Sequence, residues 1–412
     1  MNDILLKPQV QGAVTGQADG PRVLQVLPEL EEGGVERGTL DIASFLAGEG
    51  WTPLVASSGG LAEEALAERG IATFRLPLAH KNPLVIRRNV RRLQRLIQDQ
   101  AIDLVHARSR APAWSAYYAT RRCRVPFVTT FHGVYGGSER WLKRRYNAIM
   151  ARGDRVIAIS EHVADHVRMT FRVGPDRLRV IRRGVDLDEF DPARIGAAEL
   201  AELAERWRIP PGAKVVMLPG RVTRIKGHLL LLRALERLDR DDVHCVMVGG
   251  AEPRSSYVSE VEGLAGATGL RDRVRMVGST GDMASALMLA DVVVVPSIGP
   301  EAFGRVSVEA QAMGRPVIVS DIGGLGETLM PAATGWLVPP GDVSALASAL
   351  ELALAMPEDA RERLARRARR FVMRSFSVEQ MARRTLAVYR ELLEAAPDQA
   401  PSPARRRRAN DA

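Results

Sequence analysis

The chain reads as an α/β protein: two facing, Rossmann-like, doubly wound parallel-sheet domains with a C-terminal helical segment. Three observations predict this. Short continuous apolar runs alternate with helical stretches, as buried parallel strands do. The alternation starts afresh near the middle, giving two series of about 180 residues each, an ordinary domain length. A Pro-rich, irregular stretch at 186–212 separates the two series and argues against a single (β/α)8 barrel.

In the first series the apolar runs are Arg22–Leu27, Pro53–Ser57, Ala72–Leu76, Leu104–His106, Phe127–Phe131, Val156–Ile159 and Leu178–Ile181. Amphipathic segments such as Val85–Gln98 lie between them. The second series has Lys214–Leu218, Val243–Val248, Val274–Val277, Val292–Val295 and Pro316–Val319. The expected domains are 21–190 and 191–375, with a linker near Asp191–Ile195 and an Ala/Glu-rich helix after it. Helix is expected from Val343 to Ala395, broken near Pro357 and Ser375, with 376–396 packing back on the N-terminal domain. Residues 1–20 are expected to form a disordered leader without a secretory signal. Residues 397–412, carrying Arg405–Arg408, are expected to form a disordered basic tail. No internal repeat of 20–50 residues stands out.

The 412 residues are 46% hydrophobic and 26% charged, enough to bury a real core. Aromatics make up 5%, too few for a stacking wall on single-stranded nucleic acid. The formal net charge of +9 favours anionic partners: sugar nucleotides, anionic lipid or nucleic acid. Cys123 and Cys245 form no Cys-x-x-Cys pair and are expected as reduced thiols of a cytosolic protein. No apolar run approaches the ~20 residues of a membrane span.

The strongest local signal is Pro300-Glu-Ala-Phe-Gly-Arg-Val-Ser-Val-Glu309, directly after the apolar strand that ends in Pro296-Ser297. Ligands of open parallel sheets bind beyond the carboxyl ends of strands, so Glu301 should lie over that end. Val306–Met313 then reads as a helix whose N-terminus faces the same place. Open N–H groups and the helix dipole there suit a diphosphate. Gly304 lets the backbone approach closely. Glu301 can accept from sugar hydroxyls, and Glu309 from ribose hydroxyls. Lys226 stands out by composition. It is one of five lysines among 58 basic residues, and none follows it. A compact ammonium suits a point-charge contact with phosphate.

Glu-x7-Glu after a strand ending in Pro-Ser resembles the signature of family 4 glycosyltransferases of the GT-B fold. Four further segments resemble that family in the same order. They are Gly33-Gly-Val-Glu-Arg37, Thr129-Thr-Phe-His-Gly133, Arg183-Gly-Val-Asp186 and Gly220-Arg-Val-Thr-Arg-Ile-Lys-Gly227. The resemblance spans about residues 22–390 of the chain. It implies a metal-independent, retaining transfer of a sugar from a nucleotide-diphosphate donor. Arg221 and Lys226 would neutralise the diphosphate, Glu301 would hold sugar hydroxyls, and Glu309 the ribose. Ala302, Phe303 and Gly304 would line the donor with backbone. Gly33 and Gly34 would approach the phosphates from the other domain, and His132 would sit beside the sugar.

The region from Val105-His-Ala-Arg-Ser-Arg-Ala-Pro-Ala-Trp114 to Thr130-Phe-His-Gly-Val-Tyr135 is similar to bacterial lipopolysaccharide-core glycosyltransferases, mannosyltransferases included. That implies GDP-mannose or a UDP-hexose as donor, and a glycolipid or glycan acceptor at the anionic inner face of a membrane. Arg108 or Arg110 could meet an anionic acceptor, whereas His106 reads as structural. Asp186-Leu-Asp188 spells a metal-binding pattern but falls in the hinge segment, so neither metal nor cofactor is expected. Two alternatives remain. An NAD(P)-dependent oxidoreductase or sugar-nucleotide epimerase would want Gly-x-Gly-x-x-Gly after the first strand, where Glu-Glu-Gly-Gly-Val-Glu-Arg stands instead. A non-catalytic binder of sugar nucleotide or nucleic acid would not need Arg221, Lys226, Glu301 and Glu309 together.

Overall fold

The computed structural model describes residues 20–31, 33–135, 141–252 and 255–395. The expected leader (up to residue 19) and basic tail lie outside them. The described chain divides into two compact units. One comprises residues up to Arg182 together with those from Glu379 onward; the other is Arg183–Val378.

The first unit carries seven parallel strands: β1 (Arg22–Val26), β2 (Thr52–Ser57), β3 (Ala72–Arg75), β4 (Leu104–Ala107), β5 (Phe127–Phe131), β6 (Arg155–Ala158) and β7 (Leu178–Val180). Their order is β3-β2-β1-β4-β5-β6-β7. The second unit carries six: β8 (Lys214–Pro219), β9 (Val243–Val248), β10 (Val274–Gly278), β11 (Val292–Val295), β12 (Val317–Ser320) and β13 (Trp336–Val338), ordered β10-β9-β8-β11-β12-β13. Two open sheets replace any closed barrel. Every predicted strand forms. The strand not predicted, β13, is three residues long and pairs with β12 from Trp336 to Val338, too short to stand out as an apolar run.

Both sheets are buried on two faces, which is why the strands are apolar without alternation. β11, four valines, is at most 3% exposed. Helices are set by local chemistry as well as by packing. Helix Pro83–Asp99 starts where the Asn82 side chain accepts from Leu84 N, with Pro at the first turn. Helices Val343–Leu354, Glu358–Ser375 and Val378–Glu394 break at Pro357 and after Ser375.

The division between units differs from the expected boundary at 190/191. The chain enters the second unit at Arg183, because Val185 bridges to Ser377 and its N–H donates to the Phe376 carbonyl at 2.7 Å. The Pro-rich stretch that read as linker is fastened to that unit too: Arg369 reaches Asp191 at 2.9 Å and the Phe190 carbonyl at 3.2 Å. Sequence irregularity marked a loop but not whose loop it was.

Helix Val378–Glu394 packs on the first sheet. Tyr389 is fully buried there beside Trp51, Leu104 and Val128. Its hydroxyl meets His106 Nδ1 at 2.6 Å, and His106 Nε2 meets Thr130 Oγ1 at 2.7 Å. Burial drives the His106 pKa well below its usual value, so the imidazole is neutral. Glu391 adds ion pairs at 2.7 Å to Arg155 and Arg179, on β6 and β7. Tyr389→Phe is expected to cost about 1–2 kcal/mol through the orphaned His106 nitrogen. Tyr389→Ala should cost about 3–5 kcal/mol through the cavity. Urea unfolding followed by circular dichroism measures both, and a Tyr389→Phe midpoint matching wild type would contradict the hydrogen-bonded role.

Candidate functional site

In the second sheet the strand order reverses between β8 and β11, and that is the position where open α/β sheets hold ligands. The loops leaving these two strands carry Arg221–Lys226 and Ser297–Gly304. They are locked together by backbone. Ile298 N donates to the Ile225 carbonyl at 2.8 Å. Gly227 has φ +76, and a Cβ there would stand 1.9 Å from the Pro296 carbonyl oxygen. Only glycine tolerates both the conformation and the contact.

The result is a cluster of opposite charge. Lys226 Nζ donates to Glu301 Oε1 at 2.8 Å, and the buried Ser297 hydroxyl donates to the same oxygen. Glu301 is fixed from a third strand as well, since its carbonyl accepts from Gly324 N at 2.7 Å in the loop after β12. Arg221 is exposed, and its guanidinium makes no hydrogen bond or ion pair among the described residues. The helix Arg305–Ala312 begins immediately beyond. Gly304, its N-cap at φ +105, offers no side-chain cap, so the first N–H groups stay open to an anion. A Cβ at Gly304 would fall 2.5 Å from Leu325 Cδ2.

Two motif residues are held by neighbours within the fold. Phe303 turns its ring into the core, 5.8 Å from the Phe376 ring, and so leaves only backbone for a ligand; Ala302 precedes it. Glu309 lies one turn into the helix and is buried, with Oε1 held by Arg305 Nη2 at 2.6 Å and Nε at 2.9 Å. Sequence reading missed Ser297 and Arg305 as partners of the two carboxylates. Arg305, four residues before Glu309 on the same helix, was signalled by its spacing, whereas Ser297 lies in a loop where spacing carries no such signal.

In the first unit the order reverses between β1 and β4. Gly33 and Gly34 start the helix Gly34–Gly48 after β1. Gly33 is extended, and the Glu36 carboxylate stands where its Cβ would be, 2.4 Å away. His132 is half-buried just past β5. Arg108 corrects its expectation as a cleft residue. It is 4% exposed and donates to Gln25 Oε1 of β1 at 2.9 Å, and burial lowers its pKa. Arg110 takes a different path: it is half-buried and donates to Asn147 Oδ1 at 3.1 Å. Asp186 spends Oδ1 on the N–H groups of Asp188 and Glu189, the turn that the Asp-x-Asp spelling encodes. Among the described residues no three His, Cys, Asp or Glu side chains gather as a metal cluster.

The description Glycosyltransferase Family 4 matches residues 32–189, and Glycosyl transferases group 1 matches 201–371. A D-inositol 3-phosphate glycosyltransferase of Xylanimonas cellulosilytica is 34% identical over 318 residues, covering 72% of this chain and 73% of that one. The chain belongs to the family 4 glycosyltransferases. A glycosyltransferase from Rickettsia africae superposes on it with TM-score 0.85 and 36% identity, over 91% of this chain and 99% of that one. Anabaena HepE, solved with UDP and glucose, shares the fold at TM-score 0.78 and 22% identity, over 90% of this chain and all of its own. The fold of this glycosyltransferase is therefore GT-B, as its five motifs imply.

His228, the first residue of helix His228–Leu238, lies fully buried beneath the Lys226 loop. Burial pushes its pKa down to about 4, with the Lys226 charge adding to the effect. The unfolded chain takes up a proton near pH 6.5 that the folded chain refuses until about 4. Stability is therefore expected to fall as pH drops through that window, by of order 3 kcal/mol. His228→Phe should flatten this part of the profile in denaturant unfolding at pH 7 and pH 5. Gly227→Ala is expected to lose at least about 2 kcal/mol through strain and backbone overlap. A Gly227→Ala midpoint matching wild type would disprove the close approach at Pro296.

Proposed function

We propose that this glycosyltransferase moves a hexose of mannose or glucose type from a nucleoside-diphosphate sugar to a hydroxyl of a glycan or glycolipid, with retention of anomeric configuration and without a metal ion. The Lys226–Glu301 pair at the β8/β11 reversal carries the reading, flanked by the unpaired Arg221 and the uncapped helix N-terminus. Three positive elements converge where a diphosphate leaving group would develop charge. That is the electrostatic stabilisation such a transfer needs. Within the protein Glu301 neutralises Lys226. On donor binding the diphosphate takes the ammonium, and Glu301, still held by Ser297, turns its acceptor capacity to sugar hydroxyls. Glu309 keeps an oxygen for the ribose. No side chain is assigned as nucleophile; retention follows from attack on the face the diphosphate leaves, with the departing oxygen taking the acceptor proton.

GDP-mannose is the first donor proposed and a UDP-hexose the second, the latter favoured by the UDP and glucose named with HepE. The proposed role is lipopolysaccharide-core or other cell-envelope glycan synthesis in the cytoplasm, with peripheral contact at the anionic membrane face. Among the described residues no helix is long and apolar enough to cross a membrane. The name of the Xylanimonas relative favours a second reading, a small polyol acceptor.

Thermal-shift titrations with GDP, UDP, ADP, GDP-mannose and UDP-glucose, each with and without EDTA, test the donor. One nucleotide should raise the midpoint, as RT ln(1 + [L]/Kd) requires, and EDTA should not alter the shift. Lys226→Ala and Glu301→Ala should each lower turnover at least about tenfold, or about 1.4 kcal/mol of transition-state stabilisation. Near-normal turnover in both folded variants would refute the assignment of the site.

A further inference from the structure

Helix Trp141–Asn147, after β5, turns its first apolar residues to water. Trp141 is 69% exposed and Leu142 60%. Trp51 and Trp207 are buried, and Trp114 and Trp336 half-buried, so Trp141 stands apart from the other four tryptophans. The next three residues, Lys143, Arg144 and Arg145, are all exposed, and the helix holds no acid.

The apolar surface extends beyond this helix. Leu142 and Tyr146 lie one turn apart, on one helix face. The Tyr146 ring stacks on Trp114 with centroids 6.1 Å apart, and Trp114 stacks on Tyr118 at 6.4 Å. Trp114 Nε1 donates to the Tyr146 carbonyl at 3.2 Å, which fixes the ladder to helix Arg110–Cys123. Tyr118 is exposed, as is Arg122 one turn further on. Arg144 Nη2 donates to the Thr170 carbonyl at 2.9 Å, next to Met169, which is 76% exposed. Contiguous apolar surface rimmed by polar groups marks a docking face. Tryptophan and tyrosine rings settle at the headgroup level of a bilayer, and neighbouring lysines and arginines meet anionic headgroups. Aliphatic Leu142 and Met169 offer no ring on which a nucleobase could stack.

We propose that Trp141, Leu142 and Met169, with the cations of helix Trp141–Asn147, seat the first unit on an anionic bilayer surface. Seven residues are far too few to span, so the helix lies in the plane of the interface. Its last residue, Asn147, accepts from Arg110 Nη1 at 3.1 Å, and Arg110 opens the helix after β4. The seat thus borders the carboxyl edge of the first sheet, the edge at which open α/β sheets take ligands. An acceptor carried by a lipid reaches that edge from the bilayer. This rests on the transferase reading above, to which it adds a lipid-borne acceptor and the face that meets it.

Flotation of the full chain with phosphatidylcholine vesicles, with and without phosphatidylglycerol, is the direct probe. Binding to the anionic vesicles alone is expected, fading as salt rises. Trp141→Ala/Leu142→Ala and, separately, Lys143→Gln/Arg145→Gln should each weaken it at least about fivefold. Anionic vesicles should shift tryptophan emission to the blue, and the shift should vanish in Trp141→Phe while flotation persists. The midpoint rise that a nucleotide gives in free solution should stay unchanged in every variant. Equal flotation of wild type and Trp141→Ala/Leu142→Ala would overturn the proposal and move the contact elsewhere, Arg405–Arg408 included. Binding to polyuridylate, or self-association through these residues, without flotation would overturn it too. A wild-type protein that floats but answers no nucleotide would instead sink the transferase reading.

Discussion

The Gly227 backbone pressed against the Pro296 carbonyl is the contact on which the rest of the second-unit site depends. It fixes the loop after β8 to the loop after β11, two segments about seventy residues apart in sequence, across the reversal point of the sheet. With the loops pinned, Lys226 and Glu301 meet at hydrogen-bonding distance, and Ser297 shares the same carboxylate oxygen. A side chain at 227 would push the loops apart and separate the charges. The geometry thus follows from a missing Cβ before any charge is considered.

Both carboxylates of the Glu-x7-Glu motif have a cationic partner, Glu301 with Lys226 and Glu309 with Arg305. A largely buried carboxylate left alone would carry a heavy desolvation cost. Pairing offsets that cost. Arg221, which makes no hydrogen bond or ion pair among the described residues, adds an exposed positive charge beside them.

The first unit shows the same economy with a different outcome. Its sheet is completed by a helix from the far end of the chain, through Tyr389, His106 and Thr130. Arg108 and Arg110 lie two residues apart, yet one donates to a neutral side chain of β1 and the other, which forms no ion pair among the described residues, faces Tyr135 and Asn147. In a chain this rich in arginine, the partner rather than the residue type sets what each cation does in the fold.

The sequence by itself determined the fold class, twelve of the thirteen described strands and the family. Those features rest on local pattern: apolar runs buried on both faces, and glycines where backbone must turn or approach. It also brought out Lys226, Glu301, Gly304 and Glu309, because the spacing of a strand, its loop and the following helix is a local property. Tertiary structure alone decided the rest. Whether the Pro-rich stretch near Asp191 belonged to one unit or the other turned on Arg369, far along the chain. That Arg108 is buried beside Gln25 and that Phe303 points into the core depend on which side chains meet in space. Partners brought together by folding leave no mark in the order of residues.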